Sequence, residues 1–186
     1  MPELKTEFFT NTANNESLEV AIQEISALLA PALEKAINLN YTSFELVTDL
    51  TANQPNITFM ITDFALGKAY TSETPKFSFT NVFAQIVADP DKASDEGTVF
   101  LANEEDHIII QDKYPSAPIH YLVIPKKDIT TILDMPLREI AKLYVHAIEA
   151  TLQKLTLTKA KLLINVAPPN QEVPHVHLHI LSTDLS

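Results

Sequence analysis

Near its carboxyl end the chain reads VPHVHLHILS, with a histidine at every second position from 175 to 179. Successive side chains of a β-strand point to opposite faces, so this alternation predicts a strand with one imidazole face and one aliphatic face. On such a strand the imidazoles of His175, His177 and His179 lie about 6–7 Å apart. The aliphatic face can then pack on a helix, which makes this segment the most constrained strand in the sequence.

Three interpretations of the histidine face remain open. It could be the exposed polar face of an edge strand, although three histidines there by chance would be improbable. It could chelate zinc, as histidines at i and i+2 can, but only His120 offers a further nearby ligand, and we predict no metal site and no cofactor. It could serve nucleophilic catalysis, in which a neutral imidazole attacks phosphorus while its neighbours hold its tautomer and donate hydrogen bonds to the phosphoryl oxygens.

The charge balance narrows the choice of partners. The chain has 24 acidic and 13 basic residues and a formal net charge of -11. Surfaces that bind nucleic acids or anionic membranes need clustered lysine and arginine, so neither partner is expected, whereas one nucleotide can still bind in a local pocket. Arg138 is the only arginine, which excludes an arginine cluster for phosphate, and the lack of cysteine excludes disulfides and thiolate-bound metals.

The sequence carries no targeting signal that we can identify. Its first residues, MPELKTEFFTNTANNE, do not have the basic start and apolar core of a signal peptide. No apolar run approaches the ~20 residues that a transmembrane helix needs. We therefore expect a soluble, cytoplasmic protein without membrane contact.

The first part of the chain predicts an extension of helix and strands. Residues 1–15 are polar and irregular, and from Ser17 apolar residues recur at three- and four-residue steps, which predicts a helix. Pro31 is expected to kink this helix or to divide it in two. FELVTDL and ITFMITDF follow as strands, with QPN as the turn between them. We assign residues 1–77 to an extension of unknown function, because no group of residues there suggests chemistry.

The remainder predicts an α+β fold. ADPDKASDEG, residues 88–97, is expected to be a loop, and TVFLAN, HIIIQ and IHYLVIP follow as one antiparallel meander. Asp134 and Pro136 mark the entry of a long helix whose apolar stripe runs to about Lys154. KAKLLINV is then a strand, APPNQEVP a turn, and HVHLHIL the last strand. Length allows one sizeable domain, or a smaller domain with an extension.

Three segments together resemble the HIT (histidine triad) superfamily. HVHLHIL resembles the triad itself, and QDKYPSAPIHYLVIPKKDI resembles the strand–turn–strand that precedes it in Hint-type proteins, with DKYP similar to the aprataxin branch. VFAQIVADP and TVFLANEEDHIII are similar to the opening of the domain. The resemblance covers residues 78–186. It implies a HIT-like antiparallel sheet with one long packed helix, to which the amino-terminal extension is added.

The resemblance implies roles for four histidines. His177 matches the nucleophile, which forms a covalent nucleotidyl-histidine at the α-phosphate. His175 and His179 match the flanking histidines that orient the nucleophile and hydrogen-bond phosphate oxygens. His120 matches an upstream histidine beside the triad, although taken alone it would be interpreted as a satisfied core histidine.

The resemblance also implies a nucleotide-binding set. Asp112 matches the acid that grips the ribose hydroxyls, and an aspartate before KYP is equally suited to a turn. Val82, Phe83 and Ile110 match the apolar walls around the purine, although a role in the core would explain these residues as well. Asn165 and Gln171 match polar residues near the phosphate and the leaving group.

The expected function is that of a nucleotide hydrolase or transferase. Its substrate would be a purine nucleotide with a substituted α-phosphate, such as a phosphoramidate, an acyl-adenylate or a dinucleoside polyphosphate. Glu172 departs from the family pattern, which has serine or threonine there, and a carboxylate beside a phosphate repels it. This favours the alternative of a nucleotide sensor or interaction module with little turnover. The resemblance implies a homodimer through the helix and the sheet edge as one assembly, and the extension could either cover that edge or add to the interface.

Overall fold

The computed structural model describes residues 15–52, 59–62 and 76–183. The predicted irregular terminus, apart from Asn15, and the predicted QPN turn lie outside these ranges. In chain order the described helices and strands are α1 Asn15–Asn38, β1 Phe44–Thr51, β2 Phe59–Thr62, α2 Val82–Ala88, α3 Pro90–Asp95, β3 Phe100–Asn103, β4 His107–Gln111, β5 Ile119–Pro125, α4 Leu137–Glu149, β6 Lys159–Val166 and β7 Leu178–Ser182. A 3-10 turn precedes α4 at Ile132–Asp134, and a π-helical turn follows it at Ala150–Lys154.

The described strands form one seven-stranded sheet in the order β2-β1-β6-β7-β5-β4-β3. Every neighbouring pair is antiparallel, which confirms the predicted α+β class and the predicted meander of β3, β4 and β5. The long helix is also confirmed, since α4 and its π-helical turn run from Leu137 to Lys154. One face of α4 is buried, including Ile140, Tyr144 and Ile148, and it packs into the main core.

The first helix does not divide at proline. α1 is one helix of 24 residues with Pro31 inside it, so of the two outcomes expected at Pro31 a division into two helices does not occur, and a kink stays a prediction. A proline within a helix costs about 3 kcal/mol. Ile22, Ile25 and Leu29 lie on the core side of α1 and are at most 1% exposed, and each such burial stabilises by roughly 1.5–3 kcal/mol. The packing of one continuous apolar face therefore outweighs the cost of the proline.

The amino-terminal elements continue the sheet and the core. β1 pairs with β6 over eight consecutive residues, from Phe44 opposite Val166 to Thr51 opposite Lys159. Phe44, Leu46 and Leu50 are buried in the same core as α4. The β6 edge is therefore already hydrogen-bonded within the chain. The proposed boundary between residues 1–77 and 78–186 stays a prediction about domain organisation.

The segment predicted as a loop contains a helix instead. α3 occupies Pro90–Asp95, in the middle of ADPDKASDEG, where a loop was wrongly predicted. The side chain of Asp89 accepts a hydrogen bond from the Lys92 N–H at 3.1 Å, and Pro90 stands in the first turn. An aspartate N-cap followed by proline stabilises the start of a helix. These local signals outweighed the polar composition that suggested a loop.

Candidate active site

The last strand begins later than its alternation predicts. β7 covers only Leu178–Ser182, so the prediction that His175 and His177 lie on this strand was wrong. Pro174 has no N–H to donate to a strand ladder. The His175 N–H instead bonds the Val173 carbonyl at 2.8 Å, which turns the backbone. The ring centroids of His177 and His179 are consequently 4.9 Å apart, closer than on a regular strand.

Two adjacent strands bring His120 and His179 together. His120 of β5 pairs with Leu181 of β7, while Leu122 pairs with His179. This register makes the two histidines diagonal neighbours on one face of the sheet, within reach of long or aromatic side chains. His120 Nε2 lies 2.8 Å from His179 Nδ1. The sheet therefore joins the upstream histidine to the triad, as the sequence predicted for this site.

The tautomer of His177 is set by the backbone. Its Nδ1 lies 2.8 Å from the carbonyl oxygen of His175. A carbonyl can only accept a hydrogen bond, so Nδ1 carries the proton and Nε2 presents its lone pair. Burial lowers the pKa of His177, so the ring is neutral at neutral pH. The Phe83 ring packs against it with centroids 4.9 Å apart. His177 is thus held in the form that a nucleophilic imidazole requires.

His175 is fully buried and held by the protein at both ring nitrogens. Its Nε2 donates to the Pro125 carbonyl oxygen at 2.8 Å, and its Nδ1 lies 3.2 Å from the Asn81 amide nitrogen. The Asn81 side-chain oxygen accepts from the Ala84 N–H at 2.9 Å and caps α2, so the amide group that faces His175 is the donor. Both ring nitrogens of His175 are engaged by the protein. The sequence reasoning missed Asn81, although asparagine before a helical segment is a recognisable N-cap signal.

A hydrogen-bond chain also sets the tautomer of His179. The Ser116 N–H donates to His120 Nδ1 at 3.0 Å, so the proton of His120 is on Nε2. That N–H faces His179 Nδ1 at 2.8 Å and Asp112 Oδ2 at 3.2 Å. His179 Nδ1 then accepts, and the proton of its neutral ring is on Nε2. Burial lowers the pKa of both His120 and His179, which keeps the two rings neutral at neutral pH.

The Nε2 atom of His179 is buried and has no hydrogen-bond partner among the described residues. An unpaired buried donor costs roughly 1–3 kcal/mol, so such an atom in a native structure calls for an explanation. Its neighbour His177 presents a lone pair. The two rings together provide one nucleophilic nitrogen and one adjacent N–H donor, and a phosphoryl group can use both.

Asp112 makes the turn interaction that was one of its two expected roles, and the ribose role stays a prediction. Its Oδ1 accepts the Tyr114 N–H at 2.8 Å, which is the turn interaction expected of aspartate. Its Oδ2 lies 3.2 Å from His120 Nε2, so the same carboxylate borders the histidine chain. The side chain is 17% exposed, and one side of it can still be reached from solvent.

The predicted apolar walls are only partly together. Phe83 and Ile110 belong to one buried cluster with Ile108, Leu122 and Ile124. Val82, one residue earlier on α2, is 40% exposed. Asn165 is half-buried on β6, two residues beyond Leu163, which pairs directly with His179. The strand register therefore places Asn165 on the histidine side of the sheet.

Gln171 is committed to the backbone. It is 2% exposed, and its amide nitrogen donates to the carbonyl oxygens of Thr130 at 2.6 Å and Val173 at 2.9 Å. Its side-chain oxygen accepts the Ala167 N–H at 3.1 Å. This residue ties the loop before the triad to the loop after β5. The polar role near the phosphate or leaving group stays a prediction, and these contacts give Gln171 a structural role as well.

Burial of the histidines predicts a pH-dependent stability. His120, His177 and His179 have pKa values lowered from 6.5, and burial lowers the pKa of His146 to about 4. As the pH falls through 6.5, the unfolded chain takes up protons that the folded chain refuses, so the free energy of unfolding decreases. The loss continues to about pH 4. Lowered carboxylate pKa values, such as that of Glu19, act only below about 4.5.

Denaturant unfolding at pH 7.5, 6.0 and 5.0 checks this expectation, because among the described residues with shifted pKa values it is the histidines that titrate in that window. The midpoint should fall steadily from the first condition to the last. A midpoint that stays constant down to pH 5 would contradict the assignment of neutral, buried imidazoles.

Comparison with known proteins places the chain in a family. The HIT domain model matches residues 94–185. The adenosine 5'-monophosphoramidase HINT3 of Danio rerio is 37% identical over 97 residues, which are 49% of this chain and 59% of that protein. The bifunctional adenosine 5'-phosphosulfate phosphorylase/adenylylsulfatase HINT4 of Arabidopsis thaliana is 34% identical over 102 residues, 53% of this chain and 66% of that protein. The chain thus spans less than two thirds of either relative.

A third relative is matched over most of its length. An uncharacterized HIT-like protein of Chlamydia muridarum is 31% identical over 112 residues, which are 58% of this chain and 85% of that protein. Within the described parts of our chain, no helix has the length and apolar character that crossing a membrane requires. The match to the chlamydial protein and the family model agree with the histidine-rich site, and the chain belongs to the HIT family.

Proposed function

We propose that the chain is a nucleotide hydrolase or transferase that cleaves a substituted α-phosphate of a purine nucleotide through a covalent nucleotidyl-His177. One observation carries the proposal. A neutral imidazole with a free Nε2, on His177, lies beside a buried N–H without a partner, on His179. The first group can attack phosphorus, and the second can meet the negative charge that develops on oxygen.

The reaction has two displacements at phosphorus. In the first, the His177 Nε2 lone pair forms a bond to the α-phosphorus, and the leaving group departs with its bonding electrons and takes a proton. The Nδ1–H of the resulting imidazolium stays hydrogen-bonded to the His175 carbonyl oxygen. In the second, water attacks the same phosphorus, the P–N bond breaks, its electrons return to Nε2, and a proton is released. An alcohol or phosphate in place of water would give a transferase.

Neutral donors supply the electrostatic stabilisation in this proposal. The rings of His120, His175, His177 and His179 contribute their fixed tautomers, because the groups bonded to them determine where each proton sits. Pre-organised N–H donors in a site shielded from water stabilise developing charge without reorganising during the reaction. The His179 N–H is placed to contact a phosphoryl oxygen or the leaving atom.

The purine and ribose assignments rest on the apolar cluster beside His177, on Asp112 and on the relatives. The buried cluster around Phe83 and Ile110 adjoins His177 and offers an apolar wall for a base. Asp112 keeps one partly exposed carboxylate side for ribose hydroxyls. The names of the relatives from Danio rerio and Arabidopsis thaliana both describe adenosine nucleotides with a substituent on the phosphate. These points favour a substituted adenosine 5'-phosphate over a pyrimidine nucleotide.

The alternative is a nucleotide sensor with little turnover. Glu172 is exposed and lies three residues before His175, on the loop that carries the histidines. A carboxylate near a bound phosphate repels it and slows the approach of an anionic substrate. A sensor would bind AMP without accumulating a covalent adduct.

The test is a single-turnover incubation of the full chain with adenosine 5'-phosphoramidate and, separately, with an aryl ester of AMP. Intact mass after a denaturing quench should show an added nucleotidyl group, peptide mapping should place it on His177, and chromatography should show AMP. The corresponding cytidine compounds serve as control substrates for the preference for a purine base, and they should react more slowly. AMP binding without adduct or AMP release from any substrate would support the sensor and contradict the hydrolase.

A further inference from the structure

A second group of histidines lies outside the active site. Asp106 directly precedes β4, His107 is the first residue of β4, and His146 comes from α4. These residues border a cleft of about 480 Å³ between α4 and the ends of β4 and β5. None of them takes part in the reaction proposed above. His107 and His146 are 39 positions apart in the chain, and only the packing of α4 on the sheet brings them together.

The three side chains converge on one point. His107 Nδ1 lies 2.7 Å from Asp106 Oδ1, and His146 Nε2 lies 3.4 Å from Asp106 Oδ2. The three potential ligand atoms all lie within 4.8 Å of one another. A tetrahedral zinc ion holds nitrogen and oxygen ligands at about 2.0–2.2 Å, which separates its ligand atoms by roughly 3.3 Å. Side-chain shifts on the order of 1 Å would therefore bring the three onto one ion.

The ligand types and their burial suit a metal. Two imidazole nitrogens and one carboxylate oxygen are ligands that zinc accepts. The side chains of His107 and His146 are 7% and 14% exposed, while that of Asp106 is 41% exposed. An ion can therefore enter on the Asp106 side and be held by two largely buried rings.

The group already attracts a cation of the protein itself. The Lys142 ammonium lies 2.9 Å from Asp106 Oδ2, and its side chain is 28% exposed. A metal ion would displace this ammonium toward the cleft and the solvent. The rings of His107 and His146 lie face to face, 3.9 Å apart and 17° from parallel, so they would also open toward the ion. Lys142 is thus a competitor for the site, and its removal should strengthen metal binding.

We propose that Asp106, His107 and His146 form a binding site for a divalent transition metal ion of the zinc class, with water from the cleft completing the tetrahedron. No metal was expected from the sequence, in which these three residues do not stand together near the triad. The backbone links this site to the active site. Asp106 accepts the Lys126 N–H at 2.9 Å through its carbonyl oxygen, and the neighbouring Pro125 carbonyl holds His175.

Cobalt(II) titration of the full chain tests the proposal, because tetrahedral cobalt absorbs visible light intensely and zinc displaces it. The wild type should give this spectrum with one equivalent of metal. His146→Phe keeps a ring stacked on His107 but has no nitrogen, and it should abolish the spectrum. Asp106→Asn should weaken binding at least about tenfold. Lys142→Met should tighten binding about tenfold, a gain that loss of a merely structural contact would not produce.

One control separates this site from the active site. Asp112, His120 and His179 also bring potential ligand atoms within 4.8 Å of one another. His179→Phe should leave the cobalt spectrum unchanged if the metal binds at Asp106. A spectrum that survives His146→Phe and vanishes in His179→Phe would overturn the proposal, as would the absence of any tetrahedral spectrum in both the wild type and Lys142→Met. Circular dichroism establishes that each variant is folded.

Discussion

Replacing His177 with alanine is expected to lower kcat at least about a thousandfold, because it removes the Nε2 atom that we propose forms the P–N bond. The ring is 8% exposed and its Nδ1 donates to a backbone carbonyl that remains in place, so the fold should survive. Nucleotide affinity should change far less than kcat, since the apolar wall and Asp112 are untouched. Single-turnover rates with the aryl ester of AMP, beside AMP binding by calorimetry, measure the two effects separately.

Chemical rescue with added imidazole tests whether the missing ring nitrogen causes the loss of rate. It can enter the space left by the His177 ring and supply the missing nitrogen, so it should restore part of the rate in His177→Ala. His179→Ala should lose a smaller factor, about 10² to 10³, since it removes a donor and leaves the nucleophile in place. Asp49→Asn, an exposed change on β1, is the matched control and should behave as wild type. A His177→Ala protein that still accumulates the nucleotidyl adduct would show that the nucleophile is another residue.

Replacing Gln171 with alanine is expected to cost about 3 kcal/mol of unfolding free energy. The change removes three hydrogen bonds to backbone groups of Ala167, Thr130 and Val173, each worth about 0.5–1.5 kcal/mol. Denaturant unfolding at pH 7.5 measures the loss. Glu172→Gln, at the adjacent exposed position, is the control and should change stability by less than about 0.5 kcal/mol.

The same variant tests the role that the family resemblance assigned to Gln171. If the Gln171 amide acts on the phosphate or the leaving group, the rate per folded molecule of Gln171→Ala should fall while the free energy of unfolding stays near that of the wild type. If the backbone contacts are its main role, stability falls and the rate per folded molecule changes little. The second outcome agrees with a side chain that is 2% exposed.

The amino-acid pattern was sufficient where local interactions decide the structure. The alternation in IHYLVIP and KAKLLINV predicted β5 and β6, and the apolar stripe after Pro136 predicted α4. The spacing of the histidines left three interpretations open, and the resemblance to the HIT superfamily selected the catalytic one. At α3 the polar composition suggested a loop, but the N-cap signal of Asp89 and Pro90, which is also local, decided the structure. At Pro31 the sequence left a kink or a division open, and burial of a continuous apolar face kept α1 undivided.

The chemistry of the site depends on contacts between distant segments. The free Nε2 of His177 follows from a turn at His175 that Pro125 and Asn81 hold in place. The Nε2–H donor of His179 follows from the pairing of β5 with β7, because this pairing places His120 where it fixes the tautomer of His179. A histidine has the same two nitrogens wherever it occurs, and only its hydrogen-bond partners decide which one carries the proton. The residue types therefore indicated a histidine site, while the packed sheet decided which ring nitrogen keeps its proton and which one presents its lone pair.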